Sequence, residues 1–120
     1  MPDVRRGDIW WADFPQPRGS EPGFRRPVLV VQANQFNESS IRTVLVAAIT
    51  GNVALAGAPG NVLLPRRLSG LRDESAINVS QLVTVDRSYL VDHVGKIPPR
   101  IQALVDDGLR LVLQLGSLTS

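Results

Sequence analysis

Up to about position 97 the apolar residues come in short runs, some alternating with polar ones and some unbroken and β-branched, separated by turn-forming residues. This is the pattern of a strand-rich chain. Ile9 to Phe14 alternates around aromatic side chains, and Val28 to Gln32 and Thr43 to Ile49 are β-branched runs of strand length. Shorter strands are predicted at Asn61 to Leu64, Ala76 to Val79, Leu82 to Val85 and Asp92 to Ile97, each bounded by Gly, Pro, Asp or Ser. After Pro98-Pro99 the period changes. Ile101, Leu104, Val105, Val112 and Leu115 recur at helical spacing, with Arg100, Asp106, Asp107, Arg110 and Gln114 on the other face. Gly108 sits inside this helix at a cost of about 1 kcal/mol, so close packing or a slight bend is expected there.

Closely spaced strands followed by one amphipathic helix predict a mainly β, α+β fold. The expected form is a small, strongly curved antiparallel sheet, or SH3-like partly open barrel, with one apolar face plugged by the C-terminal helix. With 120 residues and no internal repeat, the chain fits one domain spanning 1–120. Two loops stand out: Pro15 to Phe24, rich in Pro, Gly and Arg, and Gly51 to Gly60, read as flexible.

Composition narrows the chemistry. A hydrophobic fraction of 43% supports a core without staples, and the absence of cysteine excludes disulfides, thiolate nucleophiles and cysteine-based metal sites. A single histidine excludes any mechanism that needs two imidazoles in one subunit, and His93 itself reads as a surface or packed strand residue. Thirteen basic against eleven acidic residues leave a net charge of +2, too little for a general polycation. Twelve of the thirteen are Arg, whose planar fork suits phosphate or carboxylate, although a GC-rich genome gives the same bias. The segment MPDVRRGD has no apolar leader and no apolar run approaches the roughly 20 residues of a membrane span, so a cytoplasmic protein without a membrane partner is expected. The 51–60 loop lacks the ending of a P-loop, no serine sits in a nucleophile elbow, and Asp73-Glu74 reads as a solvated turn.

A curved antiparallel sheet brings three segments together: Gly19-Ser20-Glu21-Pro22-Gly23, Arg25-Arg26-Pro27 and Ile49-Thr50-Gly51. Pro27 biases Arg26 toward extended backbone and so aims its side chain consistently. A salt bridge from Arg26 to Glu21, and a turn capped by the Thr50 hydroxyl, are the plain structural alternatives. Trp10 and Trp11 point to opposite faces of one strand, so one belongs to the core while its neighbour is available to stack on a base or pack at a subunit interface.

Read together, the blocks Arg6-Gly7-Asp8-Ile9-Trp10-Trp11-Ala12-Asp13-Phe14, Gly19-Ser20-Glu21-Pro22-Gly23, Arg26-Pro27-Val28-Leu29-Val30-Val31-Gln32 and Ala47-Ala48-Ile49-Thr50 closely resemble the MazF/PemK family of toxin endoribonucleases. Asp73-Glu74-Ser75-Ala76-Ile77-Asn78-Val79-Ser80-Gln81, followed by Thr84-Val85-Asp86, resembles that family's later block, so the likeness runs through nearly the whole chain in order. The resemblance implies a homodimer that cuts single-stranded RNA sequence-specifically without metal or other cofactor. It also implies a MazE-type antitoxin whose disordered tail occupies the RNA groove, with DNA met only indirectly through that complex. By motif match the family's catalytic residues fall on Arg26 and Thr50, and Glu21 matches a position of less uniform role; with His93 poorly placed, the proton acceptor is Glu21 or an Arg of the same basic mouth. Gly19, Ser20, Arg25, Gln32, Asn34, Asn78, Gln81 and Trp11 are candidate RNA-binding residues, the amides because they can address base edges. Two other functions fit the same outline: a CcdB-like inhibitor of DNA gyrase, and a corepressor that binds nucleic acid without cutting it.

Overall fold

The computed structural model describes residues 3–15 and 25–116. Six strands, β1 (Asp8–Asp13), β2 (Arg25–Val30), β3 (Thr43–Thr50), β4 (Val62–Leu64), β5 (Ser75–Asp86) and β6 (Leu90–Lys96), form one antiparallel sheet in the order β4-β5-β3-β2-β1-β6. Three helices accompany them: α1 (Asn34–Asn37), α2 (Arg66–Ser69) and α3 (Pro99–Leu113). The sheet curls into a half-barrel with β4 and β6 at its edges. None of the described helices is long and apolar enough to cross a membrane.

Irregular pairing accounts for the curl. The runs Ala76 to Val79 and Leu82 to Val85, predicted as separate strands, are two halves of the twelve-residue β5. Its pairing with β3 steps from Ala47 opposite Leu82 to Ala48 opposite Asn78, so the residues between bow out as a wide bulge. Two smaller register shifts interrupt the pairing of β1 with β6. Each extra residue bends its strand and raises the local twist. The side chain of Asn61 helps hold the β5 bulge, its Oδ1 accepting the Val79 N–H at 3.0 Å.

The expectation of one apolar face is corrected, because buried apolar clusters lie on both faces. On one side Ile9, Leu29, Ala47, Ile77 and Val79 pack with Ile101 and Val105 of α3. On the other Trp10, Val28, Val30, Val44 and Val46 are covered by Val4 and Leu90, with Phe14 and Tyr89 alongside. Unbroken apolar runs such as Thr43–Thr50 are what a strand buried on both faces requires.

Helix α3 begins at the predicted prolines and ends at Gln114 in the left-handed region, φ 57°. Its buried residues are Ile101, Val105 and Gly108, whereas Leu104, Val112 and Leu115 of the predicted apolar stripe stay exposed. Gly108 is the point of closest approach. A Cβ there would collide with the Gly60 carbonyl oxygen, so the expected close packing is found and the absent side chain is what admits the neighbouring backbone.

Two helices went unpredicted, being single turns too short for an apolar period. Helix α2 follows Pro65 and stops at Gly70, which takes φ 83°, and its end lies close to Gly95 of β6. The region 51–60, expected to be flexible, contains a 3₁₀ turn at Val53–Gly57, started by Asn52, whose Oδ1 accepts the Ala54 N–H at 3.3 Å.

Candidate active site

Antiparallel pairing of β2 with β3 sets Val28 opposite Ala48 and Val30 opposite Val46. Carried two residues further, the same register sets Arg26 against Thr50, at the start of one strand and the end of the other. Both residues line a single cavity of about 340 Å³. Arg25 and Arg26 lie within β2 rather than ahead of it, so extended backbone holds both, and both are exposed. No salt bridge joins Arg26 to another of the described residues.

The Thr50 hydroxyl oxygen accepts a hydrogen bond from the Asn52 N–H at 3.1 Å. The turn-capping role expected as its structural alternative is therefore real. It also leaves the hydroxyl proton free to be donated, with its oxygen already held in place. A structural and a chemical role coexist in one side chain.

Trp10 is the core tryptophan, with its ring centroid 5.1 Å from that of His93. His93 is an exposed strand residue, the surface alternative of the two expected, its Nε2 lying 3.4 Å from an Asp8 carboxylate oxygen. Trp11 faces the other way and lines the cavity, with the Arg25 guanidinium 5.8 Å from its ring centroid. The same Arg25 pairs with Asp92 of β6, which offsets its charge. Arg25 and Trp11 together make a flat, partly neutralised surface beside Arg26.

A further wall comes from the turn between α2 and β5, where Arg72, Asp73 and Ser75 line the same cavity. Asp73 and Glu74 are both exposed, as a solvated turn requires, and Asp73 also borders the cavity, whereas Arg72 was missed altogether. Nothing in the local sequence connects residue 72 with residues 26 and 50. Only the path of the chain through α2 brings them together.

Other expected residues fall elsewhere. Gln32 spends its amide on the fold: its Nε2 donates to Asn37 at 2.9 Å and to the Thr43 carbonyl at 3.2 Å, while its Oε1 accepts the Leu45 N–H. Asn34 accepts the Arg6 N–H at 2.7 Å and the Asn37 amide at 3.0 Å. Neither lines the cavity of Arg26 and Thr50, and the Gln32 amide and the Asn34 amide oxygen each have a structural role in the fold. Asn78 and Gln81 border the β5 bulge outside the cavity; Asn78 Oδ1 accepts from the Ser80 hydroxyl at 2.7 Å, and Gln81 is exposed. Gly19, Ser20 and Glu21 lie outside the described residues.

A second cavity of about 330 Å³ lies along α3 beside Val31, Leu45, Leu82 and Leu113. Its walls are mainly apolar, and its Arg6 is bound to Asp106 at 2.8 Å, so it offers less to an anion. Among the described residues no three His, Asp or Glu side chains gather as metal ligands do.

A curled half-barrel with an Arg and a Thr converging from neighbouring strand ends is the arrangement the resemblance implies. Residues 5–113 match the model of the PemK-like, MazF-like toxins of type II toxin–antitoxin systems, and the chain belongs to that family. It is 46% identical over 112 residues to the endoribonuclease MazF6 of Mycobacterium tuberculosis, covering 93% of this chain and 98% of that one. It is 36% identical to the endoribonuclease EndoA of Bacillus subtilis, over 93% and 96% of the two chains. In fold it is similar to a crystal structure of MazE–MazF from Deinococcus radiodurans, with a TM-score of 0.77 at 24% identity, over 97% of this chain and all of that one.

Proposed function

We propose that this chain is the toxin of a type II toxin–antitoxin pair and an endoribonuclease that cuts single-stranded RNA sequence-specifically in the cytoplasm, without metal. The observation that carries the reading is the meeting of Arg26 and Thr50 in one cavity.

RNA brings its own nucleophile, so the protein has only to align the chain, accept a proton and stabilise charge on phosphorus. In the proposed step the 2′-oxygen bonds to phosphorus while the bond from phosphorus to the 5′-oxygen breaks. The proton of the 2′-hydroxyl passes to an acceptor, for which Glu21 is the candidate, and the leaving 5′-oxygen takes a proton from solvent. The products are a 2′,3′-cyclic phosphate and a 5′-hydroxyl. Arg26 neutralises the charge that builds on the phosphorane, and Thr50 donates its free proton to a non-bridging oxygen. The Arg25–Trp11 surface stacks against a neighbouring base. Asn78 and Gln81 read bases where the RNA runs past the β5 bulge, and Gly19 and Ser20 contribute from the preceding loop. A homodimer and a MazE-type antitoxin complete the assembly, and DNA is met only through the antitoxin.

The test is cleavage of a long RNA by purified protein. Arg26→Ala should lower the rate roughly a hundredfold or more, as loss of a comparable oxyanion-stabilising group does, while the fold persists. Cleavage should continue in EDTA, and mass spectrometry should find the cyclic phosphate. Full activity of Arg26→Ala, or a 5′-phosphate product, defeats the mechanism. A gyrase supercoiling assay run alongside separates the CcdB-like alternative, and tight RNA binding without products selects the corepressor.

A further inference from the structure

We propose that Arg72 forms a second phosphate subsite, holding the phosphate next to the one that is cut. The inference rests on the ribonuclease reading above and adds a residue to it.

Arg72 is exposed, yet it stands on a backbone fixed at both ends. Just before it, Leu71 is buried in the core and its N–H donates to the Ser69 hydroxyl oxygen at 2.9 Å, directly after the left-handed Gly70. Three residues on, the buried Ser75 donates its hydroxyl to the Asp73 carbonyl at 3.1 Å. Glu74 of the same turn is directed to α2, where its carboxylate accepts the Arg66 N–H at 3.3 Å. The turn is therefore built before any ligand arrives, and it sets Arg72 on the wall of the cavity that holds Arg26 and Thr50.

Charge accounting within the cavity points the same way. Of its three guanidiniums, Arg25 is offset by Asp92, and Arg26 is assigned to the scissile phosphate. Arg72 makes no salt bridge to any described residue. Asp73 beside it is the one carboxylate among the described lining residues, and it repels anions that are not seated on the guanidinium itself. Single-stranded RNA presents a phosphate at every nucleotide, so two separately mounted guanidiniums in one cavity suit neighbouring phosphates of one strand. Arg72 acts as a positioning residue that sets which linkage lies under Arg26.

The experiment first maps a cleavage site with the wild-type protein. It then measures binding of a short RNA bearing that site with 2′-deoxyribose at the cleaved linkage, across a salt series. Each phosphate flanking that linkage is replaced singly by an uncharged methylphosphonate. Arg72→Ala should weaken binding roughly tenfold, the scale of one charge-assisted contact, and reduce the salt slope by about one. In the wild type one methylphosphonate position should carry a similar penalty, and that penalty should vanish in Arg72→Ala. Arg72→Lys should recover part of the binding and part of the kcat/KM that Arg72→Ala loses, while both variants keep the wild-type urea unfolding midpoint. An unchanged salt slope, or penalties that are the same at every position in wild type and variant, overturns the subsite. A wild-type protein that cuts no RNA overturns the ribonuclease reading instead, at the mapping step, so the two failures are told apart.

Discussion

Thr50→Val nearly preserves the side chain's shape and removes its hydroxyl, which separates the two roles that Thr50 combines. In the fold the hydroxyl oxygen accepts one hydrogen bond, from the Asn52 N–H at 3.1 Å, and Asn52 is exposed. Water can replace that partner, so the variant should lose no more than about 0.5–1 kcal/mol of stability. The donated proton is a different matter. A hydrogen bond made to charge that develops only in the transition state is worth about 3–4 kcal/mol, a hundredfold to thousandfold in rate. The assay is kcat/KM on a fluorogenic RNA containing a mapped site, measured beside a urea unfolding curve. Thr50→Val should keep its unfolding midpoint to within the small stability change and lose at least a hundredfold in kcat/KM. Thr50→Ser retains both functions and should stay within about tenfold of wild type, one tenfold step being 1.4 kcal/mol. The reasoning fails if Thr50→Val keeps most of its activity, if Thr50→Ser is as inactive as Thr50→Val, or if activity falls only as far as the fold is lost.

Two further outcomes test the scaffold. Gly108→Ala would ordinarily gain about 1 kcal/mol in a helix, but its Cβ would run into the Gly60 carbonyl, so a net loss of roughly 1–3 kcal/mol is expected and a raised melting temperature would contradict the packing. Asp86 caps the 3₁₀ turn at Arg87–Tyr89, and hydrogen bonds from the Ser88 hydroxyl and N–H hold its carboxyl below its ordinary range. A lowered native value means stability that is present above the unfolded value of about 3.9 and lost as the pH falls through the native one. Asp86→Ala should therefore unfold at lower urea than wild type near neutral pH, and the gap should close in strong acid. A gap that widens on acidification would refute the assignment.

Much of this architecture is written locally. Alternation at Ile9 to Phe14, the β-branched runs of β2 and β3, and the change of period after Pro98-Pro99 each depend on neighbours in the chain, where periodicity and fixed φ act directly. For the same reason Arg26 beside Pro27, and Thr50 at the end of an apolar run, could be singled out from the sequence.

Tertiary structure decided the rest, because register and twist determine which distant groups meet. The β5 bulge joined two predicted strands into one and helped curl the sheet so that both faces became core. The fold also turned the Gln32 amide and the Asn34 amide oxygen to the chain's own backbone. It also carried Arg72, by way of Leu71 and the left-handed Gly70, to the cavity of Arg26 and Thr50. A side chain's type and local backbone preference are properties of its stretch of sequence. Its partners are set by where the whole sheet places it, and no local period encodes that distance.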